Sequence, residues 1–134
     1  MTYYFDMDGV LANFHKAYAI NKAVAMNRKA MAELEPFTEN VSKVHELKAK
    51  GDKVYILTKA ANEAGKAGKI DWLAKHLPEI TSDEFICIVG HGKKIDYIRE
   101  DGMLVDDDPK NTRPWAKAGQ ATYLLATKGE AVTL

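Results

Sequence analysis

Asp6 and Asp8 stand one residue apart in FDMDGVLANF, residues 5–14, between the apolar segment TYYF and a glycine. A structural turn needs one Asp at most, so two carboxylates leaving one short loop point to a bound cation, a reaction, or both. Other polar groups recur behind short apolar runs. Thr58 ends KVYILT and Lys59 follows it, Lys93 and Lys94 end GHGKK behind FICIV, and Asp106, Asp107 and Asp108 open DDDPKN behind MLV.

The chemistry of these groups is a phosphate chemistry. Several carboxylates brought close together cannot all stay ionised without a cation. With oxygen donors and no His or Cys ligand pattern, a hard ion such as Mg²⁺ suits them best. Such an ion commonly bridges protein carboxylates and a substrate phosphate, while lysine and hydroxyl donors hold the remaining phosphate oxygens. A carboxylate aimed at phosphorus can act as a nucleophile. A second acid two residues away can protonate the leaving oxygen and later activate water. An EF-hand calcium loop does not explain DMDG, for the alternating acids and the Glu at the twelfth position are missing. GHGKK does not meet the spacing of a nucleotide P-loop.

The apolar runs at 2–5, 53–58, 85–89, 103–106 and 121–125 read as strands, and helical spacing lies between them. Residues 12–34 carry alanines, Met26, Met31 and Leu34. Residues 41–50 set Val41, Val44 and Leu47 on one face and stop at Gly51. Residues 62–77 end before Pro78, a short helix follows Lys94, and another runs from about Asn111 to Ala118. Strands alternating with helices predict a Rossmann-like, three-layer α/β/α sandwich with a mostly parallel five-stranded sheet. The nearly continuous apolar run FICIV predicts a strand buried on both faces. Ligands of such sheets sit at the carboxyl ends of the strands, where all these polar groups fall.

At this point the chain resembles the haloacid-dehalogenase-like phosphatase superfamily. FDMDGVLANF, Thr58, a lysine of GHGKK and MLVDDDPKN look like its four motifs, in order and across essentially the whole chain. The first motif is similar to D-M-D-G-V-L-A-D-F of the 5′(3′)-deoxyribonucleotidase-like branch, with Asn13 where that branch has Asp. The resemblance implies Asp6 as nucleophile and Mg²⁺ ligand, and Asp8 as general acid and base that also gives its backbone carbonyl to the metal. Thr58 would hydrogen-bond the phosphoryl group, and Lys94, with Lys93 as fallback, would neutralise it. Asp106 and Asp107 would complete the metal site. Asp108 has no counterpart in the family, and its own residue type predicts that it starts the next turn or caps the helix near Pro109 and Asn111. Phe14 would contact a base, and Lys59 stands beside the substrate. An Asp at position 8 favours phosphate chemistry over carbon–halogen cleavage.

The implied activity is a Mg²⁺-dependent phosphatase that forms an aspartyl-phosphate, acting on a nucleoside monophosphate. Another small ester, a polynucleotide end, or a binding protein without turnover are the alternatives. After the first motif only residues 11–36 are free for a cap, so a small helical lid in a single domain, 1–134, is expected. A small lid leaves the site open unless a second subunit covers it, so a homo-oligomer and a nucleic-acid terminus both stay in view.

Composition sets the remaining bounds. The 134 residues hold 19 basic and 19 acidic side chains, so no net charge draws the chain to nucleic acid or to a membrane. A local basic cluster of Lys59, Lys66 and Lys69 remains. The single cysteine, Cys87, excludes an internal disulfide, fits a reducing compartment and reads as a buried small apolar residue. With no secretion signal and no membrane-length apolar run, a cytosolic protein is expected. Trp72 and Trp115 read as core, His45 and His76 as helix-surface residues, and His15 and His91 as candidates to border the site.

Overall fold

The computed structural model describes residues 1–134. Five strands form one parallel sheet in the order β3-β2-β1-β4-β5: β1 Thr2–Phe5, β2 Lys53–Ala60, β3 Phe85–Val89, β4 Met103–Asp106 and β5 Thr122–Leu124. This is the expected α/β Rossmann-like architecture. The helices are α1 Phe14–Ile20, α2 Arg28–Ala32, α3 Thr38–Ala49, α4 Glu63–His76 and α5 Pro109–Lys117, with 3₁₀ turns at Lys22–Met26, Ser82–Glu84 and Lys94–Tyr97. No helix is long and apolar enough to cross a membrane.

Strand alternation divides the core in two. Tyr3, Phe5, Val54, Ile56 and Val105 face α3 and α4 through Val41, Val44, Leu47, Trp72 and Leu73. Tyr4, Tyr55, Leu57, Ile86, Ile88 and Leu104 face Trp115 of α5, with Ile95 and Ile98 beside them. Both tryptophans are fully buried, and their indole N–H groups donate to the carbonyls of Leu34 and Gly102 at 2.9 and 3.0 Å. The same alternation carries on to the strand ends. Asp6 and Asp106 continue the Tyr4 and Leu104 face, whereas Thr58 continues the Val54 and Ile56 face.

Residues 11–36 run from the first loop through α1, a 3₁₀ turn and α2, and lie against α4. A Cβ on Gly65 or Gly68 of α4 would stand 2.5 Å from the carbonyl oxygen of Ala25 or Arg28. Only glycine permits that approach. Arg28 of α2 also forms a two-pronged ion pair with Asp71 of α4, at 2.8 and 3.1 Å.

Three expectations need correction. β3 is an edge strand, so FICIV is not buried on both faces: Ile86 and Ile88 are buried, Phe85 and Cys87 are half-buried, and Val89 is exposed. Cys87 is therefore no core residue: it is half-buried and lines an open cavity with Ile70 and Leu73 of α4. The basic cluster dissolves as well, since Lys69 is buried under α2 and only Lys59 is exposed. Finally, Thr58 and Lys59 lie within β2, which runs two residues longer than its apolar pattern and ends at Ala60.

Candidate active site

The first loop sets two carboxylates apart by burying the residue between them. Met7 is fully enclosed in the core, and its carbonyl accepts the N–H groups of Val10, Leu11 and Ala12 at 3.3, 2.8 and 2.9 Å. That tight turn leaves Asp6 and Asp8 with different surroundings. Gly9 follows at φ +84°, where a side chain would be strained and would collide with the carboxylate of Asp107.

On the α5 side of the sheet, Lys94 Nζ donates to Asp6 Oδ1 and to Asp106 Oδ2, both at 2.8 Å. Lys94 is buried at the start of its 3₁₀ turn, whereas Lys93 is exposed and makes no contact with these acids. Asp106 is fully buried and further held by the Asp108 N–H at 2.9 Å and by Asn111 Nδ2 at 3.2 Å. Asp108 caps α5, accepting the Lys110 N–H at 2.9 Å. Burial pushes the Asp6 carboxyl up to about 6, with Lys94 opposing and the neighbouring Asp107 and Asp8 adding to the rise. Burial and the charge of Asp6 push Asp106 up to about 6, again against Lys94. Lys94 is disfavoured as a cation by burial, but its two carboxylates outweigh this and hold it above the ordinary lysine range.

On the α4 side, Lys69 Nζ donates to Asp8 Oδ2 and to Thr58 Oγ1, both at 2.8 Å. Asp8 Oδ1 is buried with no partner. Lys69 joins the site although no strand end announces it. Lys128 is a second addition: it comes from the segment after β5 and pairs with Asp107. Asn111 is a third, one turn into α5.

A cleft of about 190 Å³ opens over Asp6, Asp8, Thr58 and Lys94. Lys59, Lys128 and His15 stand around it, whereas His91 is exposed and takes no part. A second cavity, about 250 Å³, adjoins it along Asp8, Phe14 and Lys59 and is floored by Lys69 and Met31. Phe14 is half-buried between the two cavities and stacks on Tyr18 at 5.2 Å.

The donor set fits a hard divalent cation. One carboxylate oxygen each from Asp6, Asp106 and Asp107 lie within 4.8 Å of one another, with no nitrogen or sulfur donor among them. The carboxylate of Asp8 stands outside that group, turned to Lys69.

Residues 19–127 match the family described as 5′ nucleotidase, deoxy (pyrimidine), cytosolic type C protein. The match begins beyond Asp6, Asp8 and Phe14 and includes Thr58, Lys69, Lys94 and the Asp106–Asp108 run. No curated protein matches the chain. Among solved structures, one described as "Structure of Pnkp1/Rnl/Hen1 complex" has a TM-score of 0.63 at 18% identity over 92% of this chain, a likeness of fold alone. The chain spans less than half of that structure's chain, 45%. With most of its length matched and the parallel α/β sheet in place, the chain belongs to the type C 5′ nucleotidase family of the haloacid-dehalogenase-like superfamily.

Proposed function

We propose that the chain is a Mg²⁺-dependent phosphatase acting on a nucleoside monophosphate through an aspartyl-phosphate. The observation that carries this reading is the joint placement of Asp6, Lys94 and Asp106 in one hydrogen-bonded group, with Asp8 and Thr58 on the same cleft. Asp6 is the nucleophile. Asp8 gives a proton to the leaving oxygen and then takes one from the attacking water. Thr58 and Lys94 hold the phosphoryl oxygens. Asp6, Asp106 and Asp107 would hold Mg²⁺, with the Asp8 backbone carbonyl as a fourth donor. The bound ion supplies neutralisation of clustered carboxylates and phosphate oxygens.

The second cavity supports a nucleoside as the leaving group. It shares Asp8, the proposed proton donor to the leaving oxygen, with the phosphate cleft, and Phe14 lines it with an aromatic ring. Lys59 borders both cavities, suited to a bridging position between phosphate and sugar. Residues 11–36 serve as a small cap within a single domain, 1–134. The family description and the lone cysteine both favour the cytoplasm.

A polynucleotide end is the second reading, favoured by the open cleft with exposed Lys59 and Lys128 at its mouth. Phosphate release from mononucleotides, simple esters and 3′- or 5′-phosphorylated oligonucleotides, with Mg²⁺ or EDTA, separates the readings. Metal-dependent release from mononucleotides is expected, and Asp6→Asn should lower it by roughly three orders of magnitude or more. Release from oligonucleotides alone would replace the substrate. Mg²⁺ binding without release from any of them would make the chain a binding protein.

A further inference from the structure

Lys69 is shut under α2 by the close approach at Gly65 and Gly68, and its ammonium reaches only Asp8 and Thr58 within the site. It lies outside the phosphate cleft, so it is not a second phosphate lysine. Both of its acceptors line that cleft. An ammonium has donors and no acceptor, so each partner must accept from it.

We propose that Lys69 is a positioning residue that sets the hydrogen-bond direction of both neighbours and reserves Asp8 Oδ1 for proton transfer. The inference rests on Asp8 being the general acid of the proposed phosphatase. Thr58 Oγ1 accepts from Lys69, which leaves its own hydrogen to be donated toward a phosphoryl oxygen. Asp8 Oδ2 is occupied by Lys69, which leaves Oδ1, the buried oxygen without a partner, to carry the proton. An unpartnered buried carboxylate oxygen is costly in the resting protein and finds its partner in the leaving oxygen of the substrate.

The proton balance is complete. As Asp6 bonds to phosphorus, the bond from phosphorus to the leaving oxygen breaks, its electron pair stays on that oxygen, and the proton on Oδ1 joins it. Asp8 is then a carboxylate held through Oδ2 by Lys69. In the second half, Oδ1 takes a proton from water as the water oxygen bonds to phosphorus. The bond between phosphorus and Asp6 breaks, and Asp6 returns as a carboxylate.

The test compares esters that need this proton with esters that do not. A nucleoside 5′-monophosphate expels a poor leaving group, whereas p-nitrophenyl phosphate expels a good one. With Mg²⁺ present, Lys69→Met should lower kcat on the nucleotide by roughly 30- to 100-fold and on p-nitrophenyl phosphate by less than about fivefold, with KM within about threefold. Asp8→Asn should separate the two esters in the same direction and more widely. If Asp8→Asn separates them and Lys69→Met lowers both equally, or neither, Lys69 is only structural and the inference fails. If Asp8→Asn does not separate them, the general-acid reading beneath it fails instead. Lys69→Leu, which also removes the donor, carries the same comparison if the methionine variant does not fold. A changed ester ratio supports the inference, and equal loss or no loss overturns it.

Discussion

Lys94 and Lys69 are both closed off from water, at 2% and 1% exposure, and they reach the strand ends from opposite faces of one sheet. Lys94 bridges two carboxylates, Asp6 and Asp106, which are themselves buried and raised toward neutrality. Lys69 bridges one carboxylate and one hydroxyl, Asp8 and Thr58, and that carboxylate keeps one face in the cleft. The first arrangement is suited to concentrating charge where a phosphate and a cation meet. The second is suited to direction, for it fixes which oxygen accepts and which remains free. Two lysines of equal burial thus have different partners and, on the proposed reading, different work.

The largest effect should come from removing Lys94. Lys94→Met leaves two buried carboxylates facing each other without a cation, and breaking such a network costs about 3–5 kcal/mol. Urea unfolding in EDTA should show a loss of that order, and excess Mg²⁺ should recover part of it, because a cation that binds only the folded state stabilises it. Lys69→Met strands only Asp8, which can draw water from the cleft, so its cost should be nearer 1–3 kcal/mol. The order reverses for the ester ratio, where only Lys69→Met should discriminate. Equal stability losses, or an ester ratio shifted by Lys94→Met, would break the comparison.

The next effect lies in the packing that buries Lys69. Gly68→Ala places a methyl group 2.5 Å from the Arg28 carbonyl oxygen and 2.6 Å from the Met31 Cβ. Backbone on one side cannot yield cheaply, so α2 must lift from α4, at about 1–3 kcal/mol. Lifting α2 opens a path for water to Lys69 and leaves Lys94 untouched. Thermal unfolding should therefore fall, and kcat on nucleotides should fall more than on p-nitrophenyl phosphate. A variant as stable as the parent would show that the approach of α2 to α4 is not required.

The same contrast explains what the sequence made legible. The strands were readable because a parallel sheet covered by helices takes short apolar β-branched runs, and the groups ending those runs had to meet. Asp6, Asp106 and Lys94 belong to that class, with Lys94 only five residues beyond β3. Lys69 lies eleven residues past Thr58, in the middle of α4, and beside Lys66 it resembles an ordinary surface lysine. One signal was there: Gly65, Gly68, Lys69 and Trp72 share a helical face, and two glycines with a tryptophan mark a face pressed against something. A lysine inside that stripe is a buried lysine. Lys128 had no such mark, because it follows the last strand in a segment without regular structure. The edge position of β3 was hidden too, since an apolar run does not say how many neighbours its strand has.

A third lysine places the other two on a scale of burial. Lys48 of α3 meets Glu84 at 2.6 and 2.7 Å, but both side chains stay partly in water. Burial alone would raise the Glu84 carboxyl, yet the Lys48 hydrogen bonds and the Thr81 N–H, at 2.9 Å, hold it below its ordinary 4.5. A carboxyl lowered on folding contributes stability above its unfolded value and loses it as pH falls through the folded one. Stability should therefore decline below about pH 4.5, and Lys48→Met should flatten that part of the curve. At neutral pH the same variant should cost no more than about 1 kcal/mol, because solvent screens a partly exposed pair. Urea unfolding of the parent and Lys48→Met between pH 3 and 7 would measure both. A loss at neutral pH as large as that of Lys94→Met would mean that the site lysines owe their cost to pairing in general and not to burial.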